Sequence, residues 1–345
     1  MKQQPVTLKD IATKLGVSVA TVSRALRGYP DIRPETKEAV LELAAKMRYR
    51  PNPLAMNLRK NQSNIIGVMI PEVVHHFFSS VIKGIMDVAE EQGYQVMICQ
   101  SDEDYEKERR DLGMLLNARV DGLLISHSNV TSDFSHLQEY LDLGIPVVMY
   151  DKVTDALDVS KVVIDDYHGA FQATEHLIVQ GCKRIAHIRG PVGVKNAEQR
   201  LEGYMDALRK HGMEVDEELI KLTVRVSLEE GVQLTSELLS LPNPPDGIFA
   251  ATDLVALGVM QLLRESGKHI PDDVAVIGFS NWFVSSVVFP PLSTVHQPGT
   301  EIGRTAATML INEIKLGQAN QKVAHETRVL NTRLVVRESS RRKRY

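Results

Sequence analysis

Cysteine is scarce in this chain, and no apolar run is long enough to span a membrane. Its two cysteines, Cys99 and Cys182, have neither the spacing of a metal site nor that of a redox pair, so we expect buried thiols. The sequence has no run of about eighteen apolar residues, and its N-terminus lacks the apolar segment of a secretory signal. It also lacks a repeat with a period of about 20 to 50 residues, which excludes a solenoid. These absences predict a globular protein of the cytoplasm that does not contact a membrane.

The motifs of several large enzyme classes are missing as well. The sequence has no G-x-G-x-x-G after a predicted strand, no P-loop and no G-x-S-x-G, and the segment 190–193 resembles a phosphate-binding loop only weakly. The adjacent His75 and His76 have no carboxylate or cysteine at a spacing that would complete a metal site. We therefore predict a protein that is not an enzyme and needs neither a metal nor a cofactor.

Charge is unevenly distributed along the chain. The 345 residues carry a formal net charge of −4. Residues 1–62 contain 12 Lys and Arg against 5 Asp and Glu, which gives +7 and leaves −11 for the remainder. A basic first segment on an acidic remainder predicts that the first segment alone binds a polyanion.

Residues 6–28 have the pattern of two short helices joined by a tight turn. Thr7 and Ser18 are candidate N-caps, and on the second helix Val22 and Leu26 face inward. The outward-facing positions are Val19, Ala20, Thr21, Ser23, Arg24 and Arg27. The pattern predicts a helix-turn-helix whose second helix enters the major groove of DNA, and a solvated helical hairpin is the alternative.

A third helix and a short linker follow. Residues 34–48 have apolar side chains at helical spacing, and Pro51 and Pro53 prevent that helix from continuing. The next segment, Leu54–Arg59, is too short to form a stable helix by itself, and an ordinary linker is the alternative interpretation of its spacing.

From residue 64 onward, apolar strands alternate with amphipathic helices. The pattern forms two series in tandem, the first beginning at Ile65 and the second at Val162. Continuous apolar strands separated by such helices predict parallel sheets covered on both faces. The sequence therefore predicts an α/β fold with two similar lobes.

Three segments of the sequence resemble the LacI/GalR family of bacterial transcription regulators. They are TLKDIA, GVSVATVSRAL and TKEAVLELAAKMRYRPNPLAMNLR, which occur in the family's order and at its spacing. The resemblance continues almost to the C-terminus. It implies an all-α helix-turn-helix head, a hinge helix and a two-lobed periplasmic-binding-protein-like core with parallel sheets.

The resemblance also implies domain bounds. The expected head, hinge, core and basic tail are residues 1–50, 51–63, 64–338 and 339–345. The family returns the last helix to the first lobe and the last extended segment to the second lobe. The first lobe is then expected at about 64–160 plus 293–322, and the second at about 161–292 plus 323–338. We expect the tail to be disordered, and no apolar stripe for tetramerisation follows Val336.

By resemblance, the second helix of the head reads DNA bases. Val19 and Ala20 match positions where small apolar groups suit thymine methyls, and Arg24 matches an arginine that suits a guanine edge. The expected phosphate and sugar contacts are Ser18, Thr21, Ser23, Arg27, Thr36, Tyr49 and Asn52. In the hinge, Leu58 is the implied minor-groove wedge, with Ala55 and Arg59 beside it.

Candidate effector contacts lie just beyond predicted strands or at the start of the following helix, where parallel sheets bind ligands. They are His76, Phe77, Phe78, Asp165, Asp166, Arg200, Thr252, Asp253, Ser280, Asn281 and Trp282. Arg200 matches the arginine of the family's R-x-x-G motif, whose guanidinium reaches the cleft, and a surface arginine is the alternative. Asp165 and Asp166 either accept bonds from hydroxyls or cap the next helix.

The sequence departs from the family at Ser280. Many members have an aspartate there that binds sugar or purine hydroxyls, whereas Ser280 and Asn281 are neutral. This departure leaves room for an acidic or phosphorylated sugar, with Trp282 and Phe283 as a stacking wall.

We therefore predict a transcriptional repressor that binds a pseudo-palindromic double-stranded operator as a homodimer. Its DNA affinity is expected to depend on a small polar effector, a sugar or a sugar derivative. The alternative is a sugar-binding or sugar-modifying cytoplasmic protein whose helix-turn-helix is secondary. The basic first segment favours the regulator, because such a protein would not need it.

Overall fold

The computed structural model describes residues 6–49, 62–73 and 76–342. Contacts divide the chain into two units, Met1–Ser63 and Asn64–Tyr345. Within the described ranges, no helix is both long and apolar enough to cross a membrane. The positions predicted at Asn52, Ala55, Leu58 and Arg59, together with His75, lie outside the described residues.

The described part of the first unit is built from three helices with local start and stop signals. They are α1 (Leu8–Leu15), α2 (Val19–Leu26) and α3 (Pro34–Lys46). Thr7 caps α1 in a capping box with Asp10, Gly16 ends it at φ 66°, and Ser18 caps α2 by accepting from the Thr21 amide at 3.0 Å. The predicted boundaries of the helix-turn-helix thus follow from its caps.

A small apolar core holds these helices together. Its buried members are Ile11, Ala12, Val22, Ala25, Val40 and Ala44. Leu26, predicted to face inward, is half-buried and packs against the edge of this core. The predicted outward positions Val19 and Arg24 are exposed.

The second unit contains two six-stranded sheets, one per lobe. The first sheet has the order β11-β5-β4-β3-β1-β2, with all pairs parallel. Its strands are β1 (Ile65–Ile70), β2 (Gln95–Gln100), β3 (Gly122–Ile125), β4 (Val147–Tyr150), β5 (Ser160–Ile164) and β11 (Thr327–Leu330). The helices of this lobe are α4 (His76–Glu91), α5 (Tyr105–Asn117), α6 (Ser135–Asp142) and α11 (Gly299–Gln318).

The second sheet has the order β12-β10-β9-β8-β6-β7, and only its β10–β12 pair is antiparallel. Its strands are β6 (Ile185–Arg189), β7 (Ile220–Leu222), β8 (Gly247–Ala250), β9 (Ala275–Ser280), β10 (Ser293–His296) and β12 (Arg333–Val335). The helices of this lobe are α7 (Asp166–Val179), α8 (Lys195–Lys210), α9 (Leu228–Leu239) and α10 (Asp253–Glu265). Buried apolar strands and amphipathic helices produce the predicted α/β architecture.

Strand pairing moves the borders between the lobes from where chain order placed them. Strand β5, predicted to open the second lobe, pairs with β4 and β11 in the first sheet. Strand β10, expected in the first lobe, pairs with β9 in the second sheet. The last extended segment, expected in the second lobe, divides between the two sheets as β11 and β12. The lobe bounds expected from chain order and from the family resemblance are wrong at these strands, because hydrogen-bonded neighbours decide sheet membership.

The C-terminal segment expected to be disordered is packed as far as Arg342. Ser339 and Ser340 lie in a short 3-10 helix and are fully buried, and the Ser339 hydroxyl donates to the Val276 carbonyl at 2.7 Å. The Arg342 guanidinium donates to the Asp246 carbonyl at 2.6 Å. The hydroxyls of Ser339 and Ser340 can form buried hydrogen bonds. The prediction of disorder considered only the basic charge of the segment and did not take these hydroxyls into account.

The two cysteines differ in burial. Cys182 is buried, and its burial raises the pKa of the thiol to about 12. Cys99 is only half-buried because it lies on the edge strand β2, so the prediction of a fully buried thiol is wrong there.

Candidate functional site

A cavity of about 530 Å³ lies between the two lobes, at the carboxyl ends of both sheets. The first lobe contributes residues that follow β1, β2, β3 and β4, and the second contributes residues that follow β6, β7, β8, β9 and β10. Its size is that of a small-molecule site, and its position is the one that open parallel sheets use for ligands.

Most of the predicted effector residues border this cavity. They are His76, Phe77, Phe78, Arg200, Thr252, Asp253, Ser280 and Trp282. Asp165, Asp166 and Asn281 do not line it. The structure thus brings together side chains from widely separated parts of the sequence. The three predicted residues that do not line the cavity are each adjacent in sequence to another predicted residue.

Arg200 reaches the cavity from α8 and is held firmly within its own lobe. Its Nε donates to Asp166 Oδ1 at 2.7 Å, and its Nη1 donates to the Ala251 carbonyl at 2.8 Å. The guanidinium carbon lies 3.8 Å from the centroid of the Phe279 ring. An arginine with these contacts is buried, which excludes the alternative of a surface residue.

The glycine of the R-x-x-G motif explains how α8 presents Arg200. A Cβ on Gly203 would lie 2.3 Å from the Tyr167 carbonyl oxygen, so only glycine allows α7 and α8 to approach this closely. This approach brings Asp166, in the first turn of α7, within reach of Arg200.

The two adjacent aspartates divide the roles left open by the sequence. Asp165 caps α7, with its carboxylate accepting from the His168 amide at 2.9 Å. Asp166 is the partner of Arg200 and is almost fully buried. Burial raises the pKa of Asp166 to about 6, and the Arg200 charge opposes that shift.

Asp253 borders the cavity but is occupied by bonds within the second lobe. Its carboxylate accepts from the Trp282 amide, the Ser285 hydroxyl and the Thr294 hydroxyl at 2.5–2.7 Å. Burial raises its pKa, and these donors oppose that shift. Asp253 therefore fixes the loop that carries Trp282, while Thr252 caps α10.

Asn281, beside Ser280, turns away from the cavity. Its side-chain oxygen accepts from Arg337 Nη2 at 2.7 Å, and its amide nitrogen lies 3.2 Å from His296 Nδ1. The backbone at Asn281 is left-handed, with φ 61°, which asparagine tolerates better than most residues. Asn281 thus shapes the loop, whereas Ser280 faces the ligand space.

Sequence reasoning missed the polar wall of the first lobe. Lys152 donates to Glu103 at 2.6 Å and to the Asn129 side chain at 2.7 Å, and all three border the cavity. Asp151 borders it too, and burial raises its pKa. The signal that would have found Asp151 is the strand-end rule, because it directly follows the buried strand β4.

Several contacts between described residues connect the lobes across the cavity. The Asn196 amide donates to Asp151 at 3.2 Å, and Lys195 Nζ lies 2.6 Å from Asp155 Oδ2. The rings of His76 and Trp282 stack with centroids 6.5 Å apart. The arrangement of the lobes is therefore set by residues that border or flank the ligand space.

The described DNA-contacting candidates of the head lie on α2, at its two ends, and on or just after α3. Val19, Ala20 and Arg24 are exposed on α2, as are Ser18 and Arg27 at its ends. The half-buried members of the predicted backbone set are Thr21, Ser23, Thr36 and Tyr49. Among them, Tyr49 packs against the core of the head.

Comparison with known protein families gives two matches that follow this division. Residues 7–52 match the bacterial regulatory proteins of the lacI family, and residues 63–338 match the periplasmic binding proteins and sugar binding domain of the LacI family. The chain belongs to the LacI family. Members of this family regulate transcription by binding DNA, so this LacI-family chain is a DNA-binding regulator and not an enzyme.

Individual relatives extend over nearly the whole chain. The ribose operon repressor of Halalkalibacterium halodurans is 36% identical over 338 residues, which cover 97% of each chain. A transcriptional regulator CelR–cellobiose complex is 32% identical with a TM-score of 0.74, covering 97% of this chain and 99% of that one. A lac repressor dimer bound to operator and an anti-inducer has a TM-score of 0.84 at 27% identity, covering 98% and 99%.

Proposed function

We propose that this LacI-family protein binds a pseudo-palindromic operator as a homodimer and that a neutral polyhydroxylated ligand between its lobes changes its affinity for that operator. The observation that carries the proposal is the cavity at the ends of both sheets. A ligand there contacts both lobes, so it favours one arrangement of the lobes over others. Such coupling between two sites is typically about 1–3 kcal/mol.

The charges around the cavity favour a neutral ligand over a phosphorylated or acidic one. The buried cations Lys152 and Arg200 are already paired with Glu103 and Asp166. The remaining lining cation, Arg225, is exposed. The carboxylate of Asp151 suits sugar hydroxyls, which donate to it, and the rings of Phe77 and Trp282 suit the apolar face of a sugar. Ser280 in the second lobe is neutral, and Asp151 in the first lobe supplies a carboxylate for the sugar hydroxyls instead.

In the head, we assign base reading to Val19, Ala20 and Arg24 on the exposed face of α2. The proposed phosphate and sugar contacts are Ser18, Thr21, Ser23, Arg27, Thr36, Tyr49 and Asn52. The likeness to LacI-family relatives that extend over nearly the whole chain supports a minor-groove role for Ala55, Leu58 and Arg59. One head is too small for tight specific binding, which supports a dimer. Binding to an operator also requires that the protein is in the cytoplasm, where bacterial DNA lies.

Ligand screening followed by an operator titration tests this function. We expect a pentose, hexose or disaccharide to raise the melting temperature of the full chain and to shift operator binding, and sugar phosphates to have no effect. Asp151→Asn should weaken that sugar about tenfold or more, because a hydrogen bond to a charged group is lost.

The matched control is Asp142→Asn, which removes an exposed carboxylate on α6 and should leave sugar binding unchanged. Stabilisation by sugar phosphates alone would refute the neutral ligand. A response of Asp151→Asn at the wild-type sugar concentration would place the ligand away from the first-lobe wall.

A further inference from the structure

The segment that follows the second helix of the head folds back onto it. Gly28 has φ 75°, a left-handed conformation that a side chain would strain, and the Tyr29 amide donates to the Arg24 carbonyl at 3.2 Å. We name residues 28–31 the return turn. It places Tyr29 and Asp31 beside the last turn of α2, next to the side chain of Arg24.

Arg24 is contacted by the return turn on an edge and on a face. Its Nη2 forms an ion pair with Asp31 Oδ2. The guanidinium carbon lies 5.4 Å from the centroid of the Tyr29 ring. The side chains of Arg24 and Asp31 are 51% and 46% exposed, so the pair is at the surface of the head and not in its core.

Stability of the head does not account for this arrangement. Exposed ion pairs contribute little to folding, and the core of the head lies elsewhere, around Ile11 and Val22. A carboxylate on a DNA-binding surface also repels phosphates. Asp31 therefore lowers the affinity of the head for DNA in general. Its contact with Arg24 is the remaining explanation for its position.

We propose that Asp31 is a positioning residue that, together with Tyr29, holds Arg24 in the orientation that reads a guanine edge. The inference rests on the base-reading role proposed for Arg24. A guanidinium has five N–H donors, so one edge can remain on Asp31 while the others donate to guanine O6 and N7. A guanidinium that is already ordered loses less conformational entropy on binding its base.

The same carboxylate acts against the wrong contacts. A free arginine binds any phosphate within reach, which adds affinity without sequence information. Asp31 keeps the Arg24 guanidinium beside the return turn and repels nearby phosphates. Non-specific binding is therefore weakened, while the guanine contact is kept. The pair thus raises the ratio of specific to non-specific affinity.

Selection of binding sites from a randomised double-stranded DNA pool, with the full chain, tests the inference. Asp31→Asn should lower the preference at the base position that depends on Arg24 by about three- to tenfold, because ordering of Arg24 is lost. Affinity for random DNA should rise about twofold, with a steeper salt dependence. Asp31→Glu keeps the charge and should retain most of the base preference. This result would show that a substitution in the return turn does not by itself remove the preference.

Two controls make the outcome specific. Glu42→Gln removes one charge from an exposed position of α3 and should leave base preference unchanged. In an Arg24→Ala background, Asp31→Asn should have no further effect on that base position. If Arg24→Ala alters base preference and Asp31→Asn does not, the inference is overturned and the proposed function stands. If Arg24→Ala leaves base preference unchanged, the base-reading role fails and the inference fails with it.

Discussion

The two walls of the cavity each carry an aspartate, half-buried Asp151 in the first and buried Asp253 in the second, and the two are held in different ways. Asp253 accepts three hydrogen bonds, all from its own lobe. Asp151 accepts one from Ser126 in its own lobe and one from Asn196 across the cavity, each at 3.2 Å. Burial raises the pKa of both groups. The direction of the pKa shift alone therefore does not distinguish the carboxylate bonded within one lobe from the carboxylate bonded to both lobes.

The rest of the second wall follows the pattern of Asp253. Arg200 is bonded to Asp166 and to the Ala251 carbonyl within that lobe. These charged groups of the second wall are thus bonded within their own lobe, whereas Asp151 accepts one of its two bonds from the other lobe. We therefore expect the surroundings of Asp151 to change more than those of Asp253 if the lobes move apart.

The largest effect that would test a prebuilt second wall is the loss of Arg200. Arg200→Ala leaves the Asp166 carboxylate buried without its cation, so we expect the free energy of unfolding to fall by about 3–5 kcal/mol in urea denaturation. The control is Arg209→Ala on the same helix, whose exposed pair with Asp206 should contribute less than about 1 kcal/mol. Equal losses for the two variants would mean that Asp166 becomes neutral without Arg200 and that this pair does not fix the wall.

The pH dependence of stability tests the interior of the same lobe. Burial lowers the pKa of His187 from 6.5 to about 3, so the unfolded chain takes up the proton first. The stabilisation is complete above about pH 6.5 and falls by about 1.4 kcal/mol per pH unit below it, which amounts to about 3 kcal/mol at pH 4.5.

Unfolding measured at several pH values checks this slope. His187→Gln should reduce the difference between pH 6.5 and pH 4.5 by about that amount, and the exposed His168→Gln should leave it unchanged. A wild-type slope retained in His187→Gln would show that a group other than His187 causes the pH dependence.

The smallest of these effects separates the two aspartates directly. Asp253→Asn replaces one of the two acceptor oxygens with an NH₂ group, which cannot accept from the three donors. We therefore expect the substitution to lower the free energy of unfolding by about 2 kcal/mol. Asp151→Asn can still accept from Asn196, so we expect a loss below about 1 kcal/mol together with the loss of sugar affinity described above. Reversed magnitudes in denaturation would exchange the roles of the two walls.

Sequence patterns predicted the parts of the molecule that depend on neighbouring residues. The caps at Thr7 and Ser18 and the turn at Gly16 involve groups within a few positions of one another, so their signals are local. The strand-end rule likewise found Thr252, Asp253, Ser280 and Trp282 of the second wall, because parallel strands end at one edge of a sheet.

What the sequence did not predict depends on partners far along the chain. Asp165 and Asp166 are adjacent and chemically identical, and only the approach of α8 makes one a cap and the other the partner of Arg200. The sheet to which β5 belongs is decided by its pairing with β4 and β11, and β11 lies near the other end of the core. Asp151 is an exception, because it directly follows β4 and the strand-end rule would have found it.

The place of β11 in the first sheet has a consequence for synthesis of the protein. A ribosome completes the three-helix head early, whereas the outer edge of β5 stays open until residues 327–330 emerge. An open strand edge pairs readily with other chains, and contacts between distant residues form slowly. The nascent first lobe is therefore exposed to aggregation for about half of translation, and we expect its folding in cells to depend on chaperones more than that of the head.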